Sequence, residues 1–331
     1  MLKKTDIPLL IAELAELDTM LAELNPRSIT SRLSLQNRKR AVERKLETLG
    51  QESDTAAFVQ LLFTGTPVLD TRAIDASFAA DAIYSYQDML TKATAVRRGS
   101  LGKRGVIAGA ATEQARFYLT GLVRGSFGFV LEENPVNTPS LFDTSLKSMV
   151  QEVTQTMSKF CNLTEVDYDL FIQDLDKRLF ASFKAFFKLL HESGAQLKIV
   201  ESDGRFSFDE RNILNAYRRV EATQVDEEEQ QVNGTLLGLT PISGTFDFLS
   251  SNSTPYSGKI APAFTSDYRT QVEQGEFFQA GKRFTATLLK RMTTRGNNTP
   301  RITYFLFNLV ASDEDEQEPD LDSGMNIVRG R

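Results

Sequence analysis

The stretch "KRFTATLLKRMTTRGNNTPRITYFLFNL", Lys282–Leu309, holds six basic residues and no acidic one. Its two β-rich runs flank "GNNTP", a cluster of turn residues, and this predicts two strands joined by a loop. Working back, "QVNGTLLGLT", "GTFDFLS" and "YSGKIA" read as three earlier strands. "TSDYRTQVEQ", between the third and fourth runs, has helical character. Five short strands with a helix at that place is the order of an OB-like barrel, whereas small barrels of SH3 type lack the helix. The barrel is expected over 231–311. From Val232 to Ala311 it carries eight Lys/Arg against four Asp/Glu, a local charge of +4 in a chain of −6.

Such barrels hold single-stranded nucleic acid on strands 2 and 3 and on neighbouring loops, by stacking bases on rings and neutralising phosphate. The candidates here are Phe246, Phe248 and Tyr256 for stacking, with Arg283, Arg291, Arg295 and Arg301 for phosphate. The period-2 spacing of Phe246 and Phe248 fits a barrel core at least as well. Upstream, Asp226–Glu229 is four acids in a row and reads as a charge boundary. Downstream, 312–331 is acidic and poor in apolar residues, and reads as a disordered tail.

Toward the N-terminus, Ile7, Leu10, Leu14, Leu17, Leu21 and Leu24 repeat at alternating spacings of three and four, a coiled-coil-like stripe. Asn25-Pro26 interrupts it, and Leu35, Val42, Leu46 and Leu49 form a second stripe. An antiparallel helical hairpin over 1–52 follows, its stripe free either to pack within the chain or to form an oligomer interface. Between hairpin and barrel, 56–224 reads as an α+β domain. "FVQLLFTGTPV", "ARFYLTGLVRG", "SFGFVLEE", "AQLKIVES" and "RFSFD" are strands, and the intervening segments are helices. Phe183, Phe186, Phe187 and Leu190 are a core stripe. The fold class is thus α+β and multidomain.

Composition narrows the chemistry. At 331 residues the chain has one histidine, His191, and one cysteine, Cys161. A His/Cys zinc cluster and a disulfide framework are excluded, and no cofactor, metal or catalytic residue is assigned. The basic loop "RRGSLGKRG" offers Arg97, Arg98, Lys103 and Arg104 as a candidate anion site. It follows a helix instead of opening one, and it lacks the spacing of a phosphate-binding loop. No apolar run is long enough for a membrane span, and the acids in "MLKKTDIPLLIAELAELD" suit an amphipathic helix better than a signal peptide. A cytoplasmic, unprocessed protein without a membrane partner is expected.

The glycines and apolar positions of "FTGTPV", "IDASFAADAIYSYQDML", "RGSFGFVLEE" and "VNGTLLGLTPISGTFDF" resemble those of bacterial proteins that join an α+β domain to a C-terminal OB-like β-barrel. The resemblance implies fold, carries over no activity, and suggests a place in bacterial antiviral defence. The favoured reading is a non-enzymatic binding or assembly protein, a homo-oligomer or the partner of another protein. The alternatives are single-stranded nucleic-acid binding through the barrel, and an enzyme with a carboxylate- or Arg/Lys-based site.

Overall fold

The computed structural model describes residues 10, 13, 14, 17, 20, 21, 29–51, 55–70, 72–98, 109–123, 127–133, 143–202, 204–262, 264, 265, 268, 278–296 and 298–312. Among them the chain forms seven helices and twelve strands, a mixed α+β protein. It divides into two compact units, Met1–Ala222 and Thr223–Arg331.

The first unit begins with helix α1 (Ile29–Gln51). Leu10 and Leu17 are buried together with Val42, and Leu14 and Leu35 pack around them. Arg38 adds an ion pair at the side of this seam, donating through Nε to Glu13 Oε1 at 2.9 Å. Ile7 and Leu24, the ends of the leucine stripe, lie outside the described residues.

Strand β1 (Phe58–Gly65) is followed by a two-residue ribbon, β2 (Val68–Leu69) with β3 (Ala73–Ile74), and then by α2 (Ala76–Arg97). Asp75 caps α2 by accepting from the Phe78 amide at 2.8 Å. The short helix α3 (Gly109–Gln114) precedes β4 (Phe117–Val123) and β5 (Phe127–Glu133). Next come α4 (Ser145–Asn162), α5 (Glu165–Asp174), α6 (Lys177–Glu192), β6 (Ala195–Glu201), β7 (Gly204–Phe208) and α7 (Glu210–Ala222). The five longer strands form one antiparallel sheet in the order β4-β5-β1-β6-β7.

Alternation sets which face is covered. Val59, Leu61 and Phe63 share one face of β1 and are fully buried. Phe63 meets Phe78 of α2 edge to face at 5.2 Å. Phe183, Phe186, Phe187 and Leu190 are buried on α6, as their spacing predicts. Two helices occupy the long helical segment because Asp176 stops α5 and caps α6, accepting from the Arg178 and Leu179 amides. Gly194, at φ 61°, ends the run in the left-handed region where glycine is favoured.

The second unit is a closed five-stranded barrel in the order β8-β9-β10-β12-β11, with β11 closing onto β8. Its strands are β8 (Thr223–Thr240), β9 (Thr245–Ser250), β10 (Pro255–Ile260), β11 (Arg283–Arg295) and β12 (Arg301–Ala311). β10 and β12 run parallel and the other neighbours are antiparallel. The core comprises Leu236, Phe246, Phe248, Ile260, Phe264, Phe284, Leu288 and Leu306, among others. A Cβ on Gly258 would lie 2.2 Å from the Tyr304 carbonyl oxygen, so only glycine permits this parallel pairing.

One boundary differs from expectation. β8 starts at Thr223, not near 231, and the run Asp226–Glu229 lies inside the strand. Acids are poor strand formers in isolation, but here the run pairs with β11, where Glu227 and Glu228 stand opposite Arg291 and Lys290.

Candidate functional site

The register of β8 against β11 decides what the basic stretch does. Glu227 stands opposite Arg291, and Glu228 opposite Lys290. Arg291 is only 5% exposed and donates through Nε to Glu227 Oε1 at 2.7 Å. Its guanidinium lies 4.4 Å from the centre of the Phe305 ring. Lys290 Nζ comes within 3.9 Å of Glu228. With the acids of β8 included, 223–311 holds eight Lys/Arg and eight Asp/Glu, so the local charge of +4 falls to zero. Arg291 is therefore a buried structural residue and not a phosphate ligand, a correction forced by its ion pair and its ring contact.

The ring candidates are corrected by strand phase. Phe246 and Phe248 are 2% and 1% exposed and point into the barrel core, where they offer no face to a base. The alternate residues, Thr245 and Asp247 on β9 with Ser257 and Lys259 on β10, are exposed instead. Ser257 Oγ donates to Asp247 Oδ1 at 2.6 Å. Tyr256 is half-buried and packs edge to face on Tyr304 at 5.1 Å. Arg283 and Arg301 are exposed and Arg295 half-buried, so strand geometry gathers no ring and arginine platform from the seven candidates.

A polar cluster that sequence reading did not single out joins α2 to α6. Lys92 Nζ donates to Asp88 Oδ2 and to Ser182 Oγ, both at 2.7 Å. Ser182 Oγ donates in turn to Asp88 Oδ2 at 2.5 Å. A Ser beside a Lys invites a nucleophile reading, but both side chains are held by the Asp88 carboxylate. Ser182 is also buried. The three groups satisfy one another and tie two helices together.

Tyr86, Cys161 and His191 are core or packing residues. Tyr86 is fully buried, and burial, reinforced by the charge of Glu201, pushes its phenol far above the usual range. Burial pushes the Cys161 thiol up to about 12, which makes it inert at neutral pH. His191 stacks on Tyr217 at 4.2 Å between rings. Among the described residues no group of three or more His, Cys, Asp and Glu side chains could hold a metal.

Of the anion-loop candidates, Arg97 and Arg98 are exposed at the end of α2, where Arg97 reaches Ser148 Oγ at 3.3 Å. Lys103 and Arg104 lie outside the described residues. Of the stripe candidates, Leu10, Leu14 and Leu17 are spent on Leu35 and Val42 of the same chain, and Leu21 is half-buried.

An exposed apolar face occurs at the sheet edge. β4 reads "FYLTGLV", with no charge and no proline, and pairs on one side only. Its register to β5 slips between Leu119 and Gly121, a β-bulge. Leu119 faces Leu131 and Leu122 faces Phe129, so both leucines end on the helix-side face although three positions separate them. They are 54% and 61% exposed. A glycine inside a strand pattern was the available signal for such a bulge.

No family model, curated protein or solved structure matches the chain.

Proposed function

We propose that the chain is a non-enzymatic binding and assembly protein. The observation that carries this reading is the apolar face at β4. A bulge brings Leu119 and Leu122 to one side of an uncharged edge strand, whereas edges left in solvent are ordinarily guarded by charge or proline. Exposed apolar groups held together in this way mark contact surfaces. In this reading the segments before and within α1 form a helical hairpin closed on itself, with Leu10 and Leu17 against Val42 as support. The second unit is OB-like. The strand order, the parallel β10–β12 pair and the helical residues that follow β10 support that assignment. The closed Ser182–Lys92–Asp88 cluster weighs against hydrolytic chemistry there, and the neutralised barrel weighs against nucleic acid.

The test is light scattering of the intact protein in high salt, where apolar association persists. Wild type should show concentration-dependent mass, and Leu119→Lys with Leu122→Lys should lose it without losing helix or strand signal. Equal masses for the two proteins at every concentration would remove β4 as the contact.

A further inference from the structure

Charge guards other open strand edges of this chain. β7 is a five-residue edge strand on which Arg205 is exposed. β8 pairs only with β11 over 223–232, and that open stretch carries Asp226–Glu229. β4, by contrast, has no charged residue from Phe117 to Val123.

The bulge gives the β4 edge a symmetry that the order of its residues hides. Thr120 is the extra residue, since Leu119 pairs with Leu131 and Gly121 with Val130. Leu119 and Leu122 therefore stand as next-but-one neighbours on the helix-side face. Tyr118 and Val123 flank them on the opposite face. In either direction from the bulge the order is the same: a leucine on the helix side, then Tyr118 or Val123 on the other. Leu119, Leu122 and Tyr118 are 54%, 61% and 44% exposed, and Val123 is half-buried.

We propose that the occupant of this edge is β4 of a second copy of this chain, paired antiparallel across a two-fold axis through the bulge. A two-fold contact needs a surface complementary to itself: where one residue meets another, the second must meet the first. Here Leu119 stands opposite Leu122 of the second copy, Tyr118 stands opposite its Val123, and the two bulges meet at the axis. Four leucines then gather on the helix-side face in two directly opposed pairs. A slip of one residue would set each leucine against the wrong face. Like charges near such an axis would confront their own copies, and β4 has none. Main-chain hydrogen bonds would run on from one β4 to the other, so that the two five-stranded sheets become one. So short a contact belongs with transient interfaces, and the pair should come apart on dilution. The inference rests on the assembly reading and adds to it the partner, the strand direction and the register.

The experiment cross-links full-length chains in high salt, where apolar association persists. Leu119→Cys and Leu122→Cys are made singly. Both positions are more than half exposed, so neither change should cost helix or strand signal. Cys161 gives no background, because it is buried and its thiol is pushed up to about 12. After mild oxidation, an equal mixture of the two variants should give a disulfide-linked species of twice the 37.0 kDa chain mass. Its yield should be several-fold higher than from either variant alone. Directly opposed residues lie within reach of a disulfide, whereas like positions across the axis lie two places apart. Equal yields from the three samples, a higher yield from one variant alone, or no linked species overturns the proposal. If Leu119→Lys with Leu122→Lys still removes the concentration-dependent mass in that case, the assembly reading stands and only this inference falls. If those two changes leave the mass unaltered, the reading falls with it.

Discussion

The buried ion pair of the barrel makes a quantitative test of its basic strand. Arg291→Met keeps the side-chain volume, removes the guanidinium from Phe305, and leaves Glu227 without its partner. Breaking a fully buried pair costs about 3–5 kcal/mol. Glu227 retains 19% exposure and can turn toward water, so about 2–3 kcal/mol is the working figure. Loss of the cation–ring contact adds about 1 kcal/mol. Removing both charges, in Arg291→Met with Glu227→Leu, leaves no orphan and should lie within about 1–2 kcal/mol of wild type. The two single changes should therefore fail to add, with a coupling of about 2 kcal/mol. Hydrogen exchange of the β11 amides in the intact chain reads this locally, which matters because a chain of two units need not unfold in one step. A loss near 3 kcal/mol is an increase of more than a hundredfold in exchange. Additive single-mutant losses, or unchanged β11 protection with weakened binding of single-stranded DNA, would refute the argument and return Arg291 to the ligand surface.

Three further outcomes follow from particular contacts. Gly258→Ala should open the β10–β12 pair, because its methyl would sit on the Tyr304 carbonyl. Faster exchange confined to β10 and β12 checks this, and wild-type protection there would show that the strands shift at little cost. Ser182→Ala leaves Asp88 and Lys92 paired but removes the link to α6. A loss of about 1–2 kcal/mol in urea unfolding is expected, and no loss would mean that the hydroxyl is redundant. Cys161 should resist thiol reagents at neutral pH until the chain unfolds. Its folded value of about 12 lies above the unfolded one, so between about pH 9 and 12 the unfolded state holds fewer protons and stability falls with rising pH. The slope is roughly 1 kcal/mol per pH unit, and a Cys161→Ala protein with an equally steep alkaline decline would show that other groups set it.

The barrel's strand count was legible because each strand has its own period-2 pattern and its own turn residues. The phase of Phe246 and Phe248 was legible too: Asp247 between them marks the opposite face as wet. What the local pattern hid was pairing at a distance. Nothing near Asp226–Glu229 predicts a strand, because the residues that make one there, Lys290 and Arg291, lie more than sixty positions away. The same separation hid the Arg219 side chain, which donates to the Phe160 and Leu163 carbonyls and so caps the end of α4. It also hid the Ser182 cluster, whose members are spread over ninety positions.

Charge is where local counting misled most, and the same lesson bears on what this chain does. A basic stretch is evidence for an anionic ligand only after its cross-strand partners have been subtracted. In the barrel the count cancels, since 223–311 holds eight basic and eight acidic residues, and Arg291 and Lys290 pair with Glu227 and Glu228.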